Sequence, residues 1–264
     1  MSHRTRRTGR RSRWASALLL AVGLAVSGGA YAAVSGVANA DESATASSQS
    51  QIEEGQKLFA ANCATCHGTN LEGTNDGPSL IGVGSAAVDF QVGTGRMPMA
   101  NQAAQAPAKE VQFTDEQIAA LAAYVGSVST GPSIPDEEYL SGDGDVAHGA
   151  ELFRTNCAMC HNVSGAGGAL TEGKYAPALD EVTPQHIYEA MVTGPQNMPV
   201  FSDTNLSADD KADIISYLLY LRENDSPGGI DLGNLGPVAE GLFLWIIGLG
   251  IIVGFTVWLA SKPN

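Results

Sequence analysis

Past its first 13 residues the chain is short of positive charge. Between Asp41 and Ser261 it has seven Lys/Arg against all 28 of its acidic residues. Such a surface repels phosphate backbones, which excludes nucleic acid as a partner. It suits partners with basic or polar docking faces, or serves solubility alone. Cysteine is equally scarce. There are four in 264 residues, Cys63, Cys66, Cys157 and Cys160, and no odd thiol is left over. Strand patterns are missing too, and with them the βαβ context of a thioredoxin-like dithiol. The first 13 residues lack acid altogether but hold six arginines: Arg4, Arg6, Arg7, Arg10, Arg11 and Arg13.

What is present begins with that basic end. Trp14 to Val37 follows it, apolar and rich in Ala, Leu and Gly, then the small-residue stretches Ala30–Ala32 and Ala38–Ala40. A charged n-region, an apolar h-region and small residues read as a signal peptide over residues 1–40. An uncleaved anchor is the alternative, since about 20 apolar residues suffice to cross a bilayer. Near the other end, Val238 to Ala260 carries one charge, Glu240. A helix of that length spans ~30 Å, so 238–260 is expected to be transmembrane, with Trp245 and Trp258 toward its interfaces. Lys262 falls on the cytoplasmic side in this reading. Residue 41 onward then lies on the extracytoplasmic face of the cell membrane.

Between the two apolar segments the chain repeats itself. "GQKLFAANCATCH" begins at Gly55 and "GAELFRTNCAMCH" at Gly149, sharing the frame Gly-x-x-Leu-Phe-x-x-Asn-Cys-Ala-x-Cys-His at an offset of 94. A Gly-rich loop, a Met-Pro pair (Met97-Pro98, Met198-Pro199) and an amphipathic helix follow each copy. Thr114 and Gln117 fit a capping box, and Ser207 is placed to cap the second helix, with Asp209 and Asp210 in its first turn. Ile118, Leu121, Tyr124 and Val125 mark one apolar face; Ile214, Tyr217, Tyr220 and Leu221 mark the other. The expected layout is an all-α fold. A first domain occupies 41–130, a linker 131–145, a second domain 146–226, and a further linker 227–237 leads to the terminal helix. Domains of about 80 residues are small for a self-sufficient core, so something else must fill them.

The repeated motif says what. Two thiols in Cys-x-x-Cys can add to the two vinyl groups of one haem, and the adjacent His becomes the proximal iron ligand. A zinc ribbon needs its cysteine pairs about 15 to 20 residues apart, whereas here a whole domain intervenes. Two covalent c-type haems are therefore expected, with Cys63, Cys66, Cys157 and Cys160 as attachment points and His67 and His161 on the irons. The Met-Pro pairs supply sixth ligands, Met97 and Met198. Met99 is the alternative in the first half. His148 and His186 are rival ligands that read as surface or capping residues, and Met159 and Met191 read as packing. Iron closed by His and Met suits outer-sphere electron transfer rather than peroxide chemistry, and methionine raises its potential.

On these motifs, each half resembles a class I cytochrome c domain. The whole order, basic apolar N-terminus, two such domains and a terminal apolar helix, resembles the dihaem cytochrome c subunit of actinobacterial cytochrome bc complexes. The resemblance implies a translocase subunit in an aerobic respiratory chain, not catalytic alone. Its partners would be a cytochrome b subunit, a Rieske iron–sulfur subunit that reduces it, and a terminal oxidase that its second domain reduces. Another membrane-bound dihaem carrier is the alternative; a dihaem peroxidase is disfavoured by the Met-Pro pairs.

Overall fold

The computed structural model describes residues 13–101, 103–224 and 237–261. Arg4, Arg6, Arg7, Arg10, Arg11, the connection 227–236 and Lys262 lie outside the described residues. The chain divides into two units, one up to Gln51 and one from Ile52 onward. Helix α1 (Arg13–Asn62) includes the shorter apolar stretch Ala17–Gly29 and runs through both small-residue stretches into the first haem-motif domain.

Within the second unit the two halves are built alike. The end of α1 leads into the one-turn α2 (Ala64–His67), followed by α3 (Gly84–Gly93) and α4 (Asp115–Val128). Their counterparts are α5 (Val146–Asn156), the one-turn α6 (Ala158–His161), α7 (Pro184–Thr193) and α8 (Ala208–Glu223). Both closing helices start at a full capping box. Thr114 pairs with Gln117 and Ser207 with Asp210, each satisfying an otherwise orphaned N–H at both ends. The second half adds a small antiparallel pair the sequence pattern did not announce, β1 (Gly168–Ala169) with β2 (Tyr175–Ala176).

The shared frame explains its own glycine. In each half the first and last helices cross at that position. A Cβ on Gly55 would stand 1.9 Å from the Ala120 carbonyl oxygen, and one on Gly149 would stand 1.9 Å from that of Asp213. One turn further on, the frame's Phe meets a Tyr of the closing helix. The Phe59–Tyr124 ring centroids are 5.5 Å apart at 51°, and those of Phe153–Tyr217 are 5.6 Å apart at 52°. The expected face of α4 is buried as read: Ile118, Leu121, Tyr124 and Val125. On α8 the core face is Ile214, Ile215 and Leu218, while Tyr220 is 49% exposed and faces out. Adjacent apolar residues in "DIISYLLYL" allow more than one stripe, and packing against α5 selects the one through Ile215.

Helix α9 (Pro237–Leu244), a π-helical turn (Trp245–Leu249) and α10 (Gly250–Ala260) follow. Gly241–Ala260, 20 residues, is long and apolar enough to cross a membrane. Trp245 and Trp258 are both exposed on it.

Candidate haem sites

Each cysteine pair straddles a single helical turn. Cys63 ends α1 and Cys157 ends α5. From there the amides of Cys66 and His67 bond back to the Cys63 carbonyl at 3.1 and 3.0 Å, and those of Cys160 and His161 to Cys157 at 3.1 and 2.9 Å. This turn places both thiols and the imidazole on one short element. No disulfide closes either pair. The chain reverses directly after the histidine. Gly68 (φ +77°, ψ +156°) and Asn162 (φ +66°, ψ +168°) take up an extended conformation at positive φ there, open to glycine and strained for asparagine. The amides of Gly73 and Gly167 then return to the carbonyls of His67 and His161, at 2.8 and 2.9 Å.

The loop's next task is to orient the imidazole. His67 Nδ1 lies 2.8 Å from the Pro78 carbonyl oxygen, and His161 Nδ1 lies 3.0 Å from that of Pro177. A carbonyl only accepts, so Nδ1–H donates in both, which leaves Nε2 unprotonated and available to a metal. Such a partner also fixes the ring's rotation and raises its basicity as a ligand. The Leu80 and Leu179 amides anchor the same loops, to Leu71 and Gly165 at 2.8 and 2.7 Å. In the second half Arg222 of α8 adds hydrogen bonds to the Leu179 and Val182 carbonyls.

In the first half Cys63, Cys66, His67 and Met97 line one cavity of about 620 Å³, together with Val92 and Phe113. That volume is within the usual range for a large cofactor. Met99 lines it too, so both candidate methionines reach the site. In the second half Met198 packs against the core that includes Cys157, Phe153, Tyr188 and Met191. Burial differs between the halves. Cys66 is exposed and His67 half-buried, whereas Cys157 and His161 are buried. Burial, then the neighbouring cysteine, pushes the Cys63 thiol up to about 11 and the Cys157 thiol up to about 12. Both therefore stay neutral, and desolvation holds the His161 imidazole below its usual value. Two thiols beside an imidazole whose Nδ1 is already held are the groups that would attach a haem and bind its iron, and the residues fit the group.

Other assignments shift. His148 is the surface residue expected, its Nδ1 2.8 Å from Asp213 Oδ2. His186 is not at the surface: its side chain is 18% exposed and faces Asp89 of the other domain at 3.6 Å. Thr183, not His186, caps α7. Met191 is core, 2% exposed, but Met159 is 94% exposed and packs nothing. On a one-turn helix whose cysteines face inward, the residue between them points to solvent. The sequence reading also missed Lys211, fully buried with Nζ 2.7 Å from Asp203 and 2.6 Å from the Leu206 carbonyl. A lysine in a helix otherwise patterned for solvent gives no hint of this.

Two helical domains, each with this turn, this pinned histidine and a methionine on the loop opposite, define a c-type cytochrome carrying two covalent haems. Residues 52–129 match the family model described as cytochrome c, and 144–218 match that of cytochrome c oxidase, cbb3-type, subunit III. A cytochrome bc1 complex cytochrome c subunit from Corynebacterium diphtheriae is 49% identical, covering 98% of this chain and 97% of its own. Proteins of that description from Mycobacterium tuberculosis and Mycobacterium leprae are 47% and 46% identical, over 99% and 93% of this chain and 95% and 87% of theirs. The chain belongs to the family of cytochrome bc1 complex cytochrome c subunits and is an electron carrier.

Proposed function

We propose that this subunit relays electrons from the Rieske iron–sulfur centre of a quinol-oxidising cytochrome bc complex to a terminal oxidase. It works anchored in the cell membrane by Gly241–Ala260, with both haem domains on the extracytoplasmic side. Cytochrome b and Rieske subunits are its partners within the complex, and oxidase subunits lie beyond it. The observation that carries this reading is the end-to-end likeness to subunits of that complex, which spans both domains and the terminal helix. When bound, each haem supplies a one-electron iron couple. Domains are taken as 41–130 and 146–226, joined by 131–145 and followed by 227–237.

The chain's own residues set the terms for that couple. Cys63 and Cys66 hold the first haem, and Cys157 and Cys160 hold the second. His67 and His161 present Nε2 because Pro78 and Pro177 hold Nδ1–H. Met97 and Met198 complete the ligand sets, leaving no position for peroxide or oxygen. The low-dielectric cores behind the frame's Phe and Tyr residues exclude water from the buried side of each group.

Purification of the tagged chain from membranes in mild detergent tests the reading. Cytochrome b, Rieske and oxidase subunits should co-purify, and quinol should reduce both haems through the complex. Recovery of the chain alone, or with a different dehydrogenase, overturns it.

A further inference from the structure

Where the two haem domains meet, α3 of the first and α7 of the second enclose a polar cluster that electron transfer does not use. Asp89 is 9% exposed and Glu189 is fully buried. A carboxylate oxygen from each and a ring nitrogen of His186 all lie within 4.8 Å of one another. Asp89 Oδ2 is 3.6 Å from His186 Nε2. It accepts from Gln185 Nε2 at 2.8 Å, and the same amide donates to Glu189 Oε1 at 3.1 Å. The other oxygen, Glu189 Oε2, is buried without a hydrogen-bond partner.

This arrangement is short of positive charge. Among the described residues Asp89 forms an ion pair with His186 alone, and Glu189 forms none. Buried carboxylates persist only when neutralised, and an orphaned buried oxygen forfeits the hydration it had in water. One escape is a proton: burial, then Asp89 beside it, pushes the Glu189 carboxyl up to about 9. A divalent cation does more, because it neutralises both carboxylates at once, where a proton shared with Asp89 neutralises only one.

We propose that Asp89, His186 and Glu189 form a divalent-metal site of zinc type that clamps the two haem domains together. One imidazole and two carboxylates suit zinc, and the 3.6 Å separation of Asp89 Oδ2 and His186 Nε2 is near the ~3.3 Å edge of a tetrahedron with bonds of about 2.0–2.1 Å. A half-turn of the Gln185 amide puts its oxygen where its nitrogen stands, which supplies a fourth ligand. The site is held ready. A Cβ on Gly93 would lie 2.8 Å from His186 Nε2, so glycine leaves the ring its place, and the Phe90 ring stands edge-on to it at 6.0 Å.

Zinc counting on the full-length holoprotein tests the proposal. The protein is stripped with chelator, loaded with Zn²⁺, desalted and analysed for zinc and iron. The expected result is one zinc per two irons. The double variant Asp89→Asn/Glu189→Gln should keep both haems by pyridine haemochrome and bind zinc at least tenfold more weakly. Zinc K-edge absorption of the wild type, which needs no variant to fold, should show N/O ligands at about 2.0–2.2 Å and no sulfur. Failure of the wild type to retain zinc at micromolar free metal overturns the proposal. So does zinc that survives the double variant but is lost on His148→Ala, because that places it at His148, Asp210 and Asp213 instead.

Discussion

Gly149→Ala should destabilise the second domain, although alanine is ordinarily the better helix former. Gly149 lies inside α5, where exchanging glycine for alanine at an open site would gain about 0.8–1 kcal/mol. The site is not open. The new Cβ would stand 1.9 Å from Asp213 O, 2.4 Å from Asp213 C and 3.0 Å from Ile214 N. All three are α8 backbone atoms and cannot swing aside as a side-chain tip would. Restoring ordinary contact requires the two helices to separate by well over an ångström. That separation loosens Phe153 and Ile214, 0% and 1% exposed, and the Phe153–Tyr217 ring pair. Overpacking of this kind costs about 1–3 kcal/mol, and here it falls on backbone, so the upper figure applies. Net of helix propensity, about 2 kcal/mol remains, which lowers Tm by roughly 8–16 °C for a domain of this size. Thermal melts of the purified holoprotein, followed by helical circular dichroism and haem absorbance together, measure it. Gly55→Ala should do the same to the first domain, since its Cβ meets Ala120 O at the same 1.9 Å. A Tm equal to or above wild type in either variant would refute the close-crossing explanation of the glycine in the repeated frame.

Three further outcomes are expected. Met97→Ala and Met198→Ala should each lower the midpoint potential of one haem, with Met99→Ala leaving both in place; spectroelectrochemical titration reads this, and two unmoved potentials in the first pair would remove the axial assignments. Replacing both Cys63 and Cys66 by Ser should reduce the pyridine haemochrome count from two c-type haems per chain to one. The hydrogen bond from His148 Nδ1 to Asp213, helped by charge from Asp213, Asp210 and Asp145, raises the imidazole above its ordinary 6.5. A raised folded value adds stability that is complete below about pH 6.5 and lost as pH climbs through that value. The Tm advantage of wild type over His148→Gln should accordingly be larger at pH 5.5 than at pH 8.5, and a constant difference would count against it.

The haem attachment turns were legible because their chemistry is local: two thiols and an imidazole must share one helical turn, and five consecutive residues write it. The Thr114–Gln117 capping box and the Ser207 cap were legible for the same reason, though that Asp210 closes a second box was not read. Other features depended on contacts far along the chain. The frame's glycine was visible as a repeated letter, but only the crossing with α4 or α8 gives it a reason. Met159 and Met191 look alike in sequence. One stands 94% exposed on the outer side of a one-turn helix, and the other sits in the core at 2%. His186 and Glu189 carry no local sign that their neighbours come from the first domain, because Asp89 lies 97 and 100 residues before them.

The repeat accounts for the haem sites, and one departure from it adds to the joint that α3 and α7 make between the domains. Eleven residues separate His67 from Pro78, but sixteen separate His161 from Pro177. The extra residues form the β1–β2 hairpin, on the way to a carbonyl that performs the same task in both halves. This hairpin adds a contact with the first domain beside the one between α3 and α7. The Gln105 amide donates to the Tyr175 carbonyl at 2.7 Å and accepts from the Tyr175 amide at 3.0 Å, pairing with the strand as a neighbouring strand would. Gln196, on the loop after α7, accepts from the Ala106 amide at 3.2 Å. The joint thus combines elements that the two halves share, α3 and α7, with loop residues that they do not, while the Pro78 and Pro177 carbonyls keep the same hydrogen bond to His67 and His161.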